Sequence, residues 1–401
     1  MKITMKDEQR IHIIQSIKWG QISLVEGGQL LGITVRQINR LLMRFRDDGI
    51  RGLIHGNRGK ASHRKTQESI LERIKAWMRG KYKDINDIHL MELLKREEKI
   101  SVSKSTLRRI RVKEGWEAKR KRRSPRYRSR RERKEAFGQM VQIDASPHDW
   151  LEGRGPWLTL VGGIDDACSH VWAGFEPRET TWGYLGLMED ILLSQGLPLS
   201  LYSDRHTIFF SPRKPTIVEQ LKNTGPLTQF GRAMEELGIR IIPAYSPQAK
   251  GRVERLWQTF QDRLVVELRL AQAKTLEEAH EVLGRFLKEF NKQFAVPPKQ
   301  STPVFRPSPS AFELSRVLCI KETRTVAQDH TVSFEGLILQ IPPSKKFHSI
   351  AGRKVEVLQL KEGSIEIHYQ QQRVARFSPE AVTRMMNTYK IGRSELKKQA
   401  A

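Results

Sequence analysis

The sequence predicts a multidomain protein: an all-α N-terminal region of helix-turn-helix modules, a central α/β core with a mixed sheet, and a small C-terminal β-barrel. Three observations predict it. Apolar residues recur at helical spacing from about 7 to 115, alternation at period two sets in at 138, and short strand-like runs fill the stretch after 311. The boundaries read as 1–60 and 61–116 for two helix-turn-helix domains, 117–137 for a basic linker, 138–300 for the core, 301–390 for the barrel and 391–401 for a disordered tail.

The first module is marked by Ile11, Ile14 and Ile17, then Leu30, Leu31, Ile38, Leu41, Leu42 and Phe45. Within LLGITVRQINRLLMRF, Gly32 supplies a tight turn and Thr34 caps the helix that follows. That second helix would expose Arg36, Gln37, Asn39, Arg40 and Arg44, side chains suited to base edges in a major groove. The bland alternative is a three-helix bundle with a solvated basic face. A weaker copy spans 88–112, with Leu90, Leu93 and Leu94 on one helix, Ser103 as cap, and Lys104, Arg108 and Arg109 on the next. The stretch GIRGLIHGNRGKASHRK between them reads as a linker.

Residues 119–134, which include Arg122 and Arg123, carry eleven Lys or Arg and a single acid, Glu132, and will not pack in a core; an arm that grips phosphates suits them. With 71 Lys and Arg against 45 Asp and Glu, the net charge is +26, which calls for a polyanionic partner. No apolar run reaches the roughly 20 residues that span a bilayer, and MKITMKDEQRIHII lacks the apolar stretch of a secretory signal. Two cysteines, Cys168 and Cys319, make neither a disulfide framework nor a cysteine zinc site, so a reduced, cytoplasmic setting is expected.

From 138 the elements run strand (MVQIDAS), strand (WLTLVGGID), strand (HVWAGFEP), helix through Tyr184 to Leu192, strand (LSLYSD), helix (FGRAMEEL), strand (IRIIPA), and a long helix from about Arg252 to Leu270. Five strands with interleaved helices predict a layered mixed sheet. Beyond AFELSRVLCI, about five strands separated by turns at Glu335–Gly336 and Glu362–Gly363 predict the barrel or a sandwich.

Three acids stand out in the core. Asp144 lies in a strand whose alternate positions are apolar, and an unpaired carboxylate there needs a metal, a cation or an open strand end. Asp204 closes an apolar strand at its C-terminal end, where α/β sheets place ligand groups. Glu254 sits one residue off the apolar stripe Val253, Leu256, Phe260, Leu264 and Leu268, at the margin between core and solvent. Oxygen donors without a nearby His or Cys suit Mg²⁺ or Mn²⁺ rather than zinc. Two such ions would clamp the attacking and leaving oxygens of a phosphodiester. Each acid also has a plain structural explanation, as strand ion pair, turn former or helix surface charge. Asp165 and Asp166 are rivals that a hairpin turn explains.

The segments QIDAS, YSDRH and YSPQAKGRVERLWQTFQDRL, with the helix-turn-helix opening, resemble bacterial insertion-sequence transposases with a retroviral-integrase-type DDE core, close to the group labelled ISNCY. Pro247, Gly251 and Glu254 match that family's Pro-x-x-x-Gly-x-x-Glu context for its third acid. The resemblance implies a ribonuclease H-like core with strand order 3-2-1-4-5 and a catalytic and metal-binding trio of Asp144, Asp204 and Glu254. It further implies two Mg²⁺ ions (or Mn²⁺), binding to terminal inverted repeats, end cleavage, and strand transfer into target DNA. Double-stranded DNA is then the partner, a homo-oligomer of at least two chains the synaptic form, and a nucleoid-associated bacterial protein the setting. Lys250 and Arg255 would lie along the DNA. The gap from Asp204 to Glu254 is longer than in the tightest-spaced relatives, with the extra length in HTIFFSPRKPTIVEQLKNTGP. His206 is expected to be a local hydrogen-bond partner. Two other readings stay open: an inactive DNA-binding regulator, and a ribonuclease H-superfamily nuclease without strand transfer.

Overall fold

The computed structural model describes residues 4–58, 66–117, 131–221, 225–244, 251–343 and 346–387. The expected basic linker falls mostly outside them, as do Arg122, Arg123, Pro247, Lys250 and the tail. The chain divides into two compact units, Met1–Ala76 and Trp77–Ala401.

In the first unit, α1 (Met5–Lys18), α2 (Leu24–Leu31) and α3 (Val35–Asp48) close on a small core of Ile14, Ile38 and Leu53. The predicted turn is present: Gly32 ends α2 at φ +63°, and Thr34 caps α3. Glycine suits that position because a Cβ is strained in the left-handed region. Helix α4 (Glu68–Arg79) follows.

The second unit opens with α5 (Asp87–Arg96), capped by Asn86, and α6 (Lys104–Glu114), capped by Ser103 as expected. Then come β1 (Val141–His148), β2 (Leu158–Asp165), β3 (Val171–Glu176), α7 (Thr181–Ser194), β4 (Ser200–Ser203), α8 (Ile217–Leu221), α9 (Gln229–Glu236), β5 (Arg240–Pro243), α10 (Gly251–Leu270) and α11 (Leu276–Phe294). The five strands form one sheet in the order β3-β2-β1-β4-β5, the order the resemblance implies. β1 runs antiparallel to β2 and parallel to β4, so the sheet is mixed.

Alternation sorts the β1 side chains between two layers. Val141 and Ile143 join Tyr184, Met188 and Ile191 of α7 and Phe230 and Met234 of α9 in one core. The opposite core holds Leu158, Leu160 and Phe175 of the sheet with Val253, Phe260 and Leu264 of α10 and Leu283 and Phe290 of α11. Gln142, Asp144 and Ser146, the polar alternates, lie on the α10 side. Asn291 of α11 receives the Val171 N–H and donates to its carbonyl, both at 2.9 Å, which fixes that helix on β3.

α5 is bound to α10 by polar contacts. Arg263 grips both oxygens of Glu92 at 2.6 and 3.3 Å, Arg96 donates to Glu267 at 2.7 Å, and His89 meets Glu267 at 3.1 Å. α5 therefore packs against the core helix through charged residues that sequence patterns assign to solvent.

At the C-terminus, AFELSRV forms α12 (Ala311–Val317). It precedes β6 (Ile320–Thr325), β7 (Thr331–Phe334), β8 (Leu337–Gln340), β9 (Lys354–Gln359), β10 (Ile365–Tyr369) and β11 (Gln372–Phe377). Here the expected barrel is corrected. Among the described residues these strands form an open four-stranded sheet, β11-β10-β9-β6, and a separate hairpin, β7-β8. β7 and β8 are only four residues each and pair with each other alone, so the ladder does not close. Both pieces share one core, with Val332, Phe334 and Leu339 against Val355, Val357, Ile365 and Ile367. Among the described residues no helix is long and apolar enough to cross a membrane.

Candidate active site

The site begins where β1 outruns its neighbour. β1 pairs with β2 along its whole length, to His148. Its parallel pairing to β4 is Val141 with Leu201 and Gln142 with Tyr202, and β4 ends at Ser203. Carried two residues on, that register sets Asp144 level with Asp204, just as the strands part. Neighbouring strands lie about 4.8 Å apart, so the two half-buried acids flank the opening of the sheet. A place where adjacent strands part company is where α/β sheets open a crevice.

Tyr184 of α7 is 1% exposed, and its hydroxyl donates to Glu179 at 2.7 Å. Burial pushes that hydroxyl's pKa far above its ordinary value, and the charges of Glu179, Asp144 and Asp204 push it the same way. Asp204 also receives the backbone N–H of His206 at 3.0 Å, a turn that sets its carboxylate at the strand end.

α10 lies along the polar face of β1 and meets it at three levels. Arg252 donates to Asp166 at 2.7 Å, and Gln142 of β1 donates to the same oxygen at 2.7 Å. The Trp257 indole N–H donates to Asp144 Oδ2 at 3.0 Å. Gln261 donates to the Ser146 hydroxyl at 3.2 Å. Glu254 is exposed and falls between the first two contacts. Counted three and seven residues on, it shares a helix edge with Trp257 and Gln261, the edge that faces Asp144 and Ser146. The residues leading into this turn, 245–250, lie outside those described. Among the described residues, no three His, Cys, Asp or Glu side chains stand close enough together to cage an ion. The arrangement thus sets Asp144 level with Asp204 and starts the Glu254 helix beside Asp144, without a closed three-carboxylate cage.

The rival acids are occupied elsewhere. Asp165 ends β2 and accepts the N–H groups of Gly138, Ala167 and Cys168, each at 2.9 Å. Burial nevertheless raises its pKa. Asp166 is fully buried and paired with Arg131 and Arg252, with the Lys134 N–H at 2.8 Å. His206 is exposed and its ring accepts the Ile208 N–H at 3.3 Å, a local partner as expected.

Arg36, Gln37, Asn39, Arg40 and Arg44 are all exposed on α3. Gln37 has a second duty: its side chain accepts the Thr34 N–H at 2.9 Å and completes the helix cap. Lys104, Arg108 and Arg109 are exposed on α6. Arg255 is exposed too, with Nε donating to the Gly251 carbonyl at 2.6 Å. Sequence reasoning missed Trp257. Trp257 carried a usable signal, since a buried indole N–H needs an acceptor and this one stands one turn after Glu254.

No family model matches the chain. Two curated relatives do. The chain is 34% identical over 367 residues to y4bF of Sinorhizobium fredii (strain NBRC 101917 / NGR234), named as a transposase, covering 91% of this chain and 79% of the relative. It is 31% identical over 405 residues to the transposase for insertion sequence IS1202 of Streptococcus pneumoniae, covering 91% of this chain and 84% of that one. Among solved structures, the catalytic core domain of BIV integrase is 22% identical over 39% of this chain and 85% of its own, at a TM-score of 0.28. The HTLV-2 integrase catalytic core domain in complex with magnesium, in its dimeric form, is 16% identical over 39% and 88%, at a TM-score of 0.30. Structural overlap that slight carries no argument.

Proposed function

The chain belongs to the transposase family of these two relatives, and from that premise we propose that it binds the terminal inverted repeats of its element, cleaves at their ends and joins those ends to target DNA. The observation that supports the chemistry is the β1–β4 register, Val141 with Leu201 and Gln142 with Tyr202, which carried two residues on would bring Asp144 level with Asp204.

In this reading the core is ribonuclease H-like and Asp144, Asp204 and Glu254 hold two Mg²⁺ or Mn²⁺ ions. The donor set fits: three carboxylates are hard oxygen ligands, and neither buried cysteine is offered to the site. Ions held by these three carboxylates would supply activation of an attacking oxygen and stabilisation of charge on the leaving 3′-oxygen. The protein's own part is placement. Asp204 is held by its turn to His206, and α10 is held on β1 so that Glu254 enters from the helix edge beside Asp144. Arg255 and Lys250 lie along the DNA near the site, and the basic stretch with Arg122 and Arg123 grips the backbone further out. Arg36, Gln37, Asn39, Arg40 and Arg44 read one part of a terminal repeat, and Lys104, Arg108 and Arg109 contact another. Joining two ends needs at least two copies of the chain in the synaptic complex.

Asp204→Asn tests the reading. It keeps the side chain's shape and removes a ligand charge, so Mg²⁺-dependent nicking of terminal-repeat DNA should vanish while repeat binding at fixed salt is unchanged. Nicking at the wild-type rate would remove Asp204 from the site.

A further inference from the structure

We propose that Trp257 is a positioning residue for the metal site, holding the Asp144 carboxylate in one orientation and fastening the Glu254 helix to it. The proposal rests on the reading of Asp144 as a metal ligand. Three chain segments build the contact. α10 supplies the indole, which is only 6% exposed and donates to Asp144 Oδ2 at 3.0 Å. β1 supplies the carboxylate. β2 supplies the space: Gly162 is the register partner of Asp144, and a Cβ at Gly162 would stand 2.7 Å from Trp257 Cη2. The indole seat therefore requires a residue without a side chain directly across from the acid.

The choice of acceptor sets this tryptophan apart. Trp150, fully buried in the same core, satisfies its N–H on the Ser146 backbone carbonyl at 3.1 Å. Trp257 spends its donor on an ionisable carboxylate instead. A hydrogen bond to a charged acceptor is stronger than one to a neutral carbonyl. It fixes the rotation of a group that a metal ion would otherwise have to order, which is how hydrogen-bonding partners behind ligands raise metal affinity. Because Glu254 lies one turn earlier on the same helix, the bond also sets the register of the third acid against the first.

The full-length chain is tested in three forms: wild type, Trp257→Phe and Asp144→Asn. Binding of Mn²⁺ is read by electron paramagnetic resonance of the free ion, and the Mg²⁺ dependence of nicking is measured beside it. Trp257→Phe keeps an aromatic ring in the seat but loses the donor, along with the outer ring edge that reaches Gly162, so Mn²⁺ affinity should fall about 10- to 100-fold. The Mg²⁺ concentration for half-maximal nicking should rise in parallel. An unchanged Mn²⁺ affinity in Trp257→Phe, with binding lost in Asp144→Asn, overturns the positioning role and leaves the metal reading intact. Unchanged Mn²⁺ affinity in Asp144→Asn brings down the metal reading itself, and the positioning role with it. A further measurement does not depend on Trp257→Phe folding. Among the indole ¹H–¹⁵N resonances of the eight tryptophans, one should move when Asp144 becomes Asn. If none moves, there is no such bond.

Discussion

Asp166→Asn should loosen the first turn of α10, and the structure sets the size of the effect. The Asp166 carboxylate is fully buried and takes hydrogen bonds from Arg252 at 2.7 Å, Gln142 at 2.7 Å and the Lys134 N–H at 2.8 Å, with Arg131 as a fourth donor. The Arg131 side chain is 38% exposed, so its share is screened and small. Arg252 is only 13% exposed; burial lowers its pKa while the Asp166 charge pulls it up, as expected of a desolvated cation that depends on its partner. Removing one member of a buried pair costs about 3–5 kcal/mol, because the other charge is left uncompensated. An amide has one oxygen: kept at Oδ1 it can still accept from Gln142, but its NH2 then faces the Lys134 N–H, so the cost is at least about 3 kcal/mol. With a urea slope of about 3 kcal/mol/M, the unfolding midpoint of the core should fall by at least about 1 M. Arg252→Met removes the cation and leaves Asp166 its other donors, so it should cost less than Asp166→Asn. The double variant should cost clearly less than the sum of the two. Because Arg252 stands two residues before Glu254, both variants should also slow nicking. Additive urea shifts, or an unchanged midpoint in Asp166→Asn, would refute the claim that this pair pins the helix.

The contact between α5 and α10 should weaken in acid. Burial raises the pKa of Glu267, but hydrogen bonds from His89 and Arg96 outweigh it and hold the carboxyl below its ordinary 4.5; Glu92 is held down likewise by Arg263 and Gln293. A depressed folded-state pKa stabilises above the ordinary value and loses that contribution as pH falls below about 4.5 through the folded value. Hydrogen exchange of the α5 amides, corrected for intrinsic rate, should therefore quicken between pH 5.5 and pH 3.5, and Glu267→Gln should reduce the dependence; equal sensitivity in the variant counts against the argument. Gly162→Ala should cost about 1–3 kcal/mol by overpacking, since its Cβ meets Trp257 at 2.7 Å and the Trp172 carbonyl oxygen at 3.0 Å. A thermal midpoint equal to wild type would show that the indole has room to move.

Much of this architecture was open to sequence reasoning, and the misses share a cause. Period-two alternation in MVQIDAS marks β1, and the stripe from Val253 to Leu268 marks α10, because one-sided burial imposes those periods on the chain; β2, buried along its whole length, shows instead as an apolar run. Thr34 and Ser103 announce their helices because capping is local chemistry. α11 was legible by the same rule: Thr275 followed by Glu278 is a capping box, ahead of buried Ala279, Val282, Leu283 and Phe290. What a periodic pattern cannot supply is a partner. Glu92, Arg263 and Glu267 read as surface charges until α5 is laid on α10. Trp257 reads as core filling until its indole is found on Asp144. The C-terminal strands are visible one by one, but alternation does not say whether a hairpin joins its neighbours' ladder, and here it does not.

The β1–β4 pairing has a kinetic corollary. It joins segments some sixty positions apart in parallel, and such long-range closure is slow because the chain must give up loop entropy before any contact rewards it. The capped helices of the first unit need only near neighbours. In a refolding chain the N-terminal module should therefore assemble ahead of the aspartate pair, which under the proposed function leaves an interval with the repeat-reading helices in place and the cutting site still unformed.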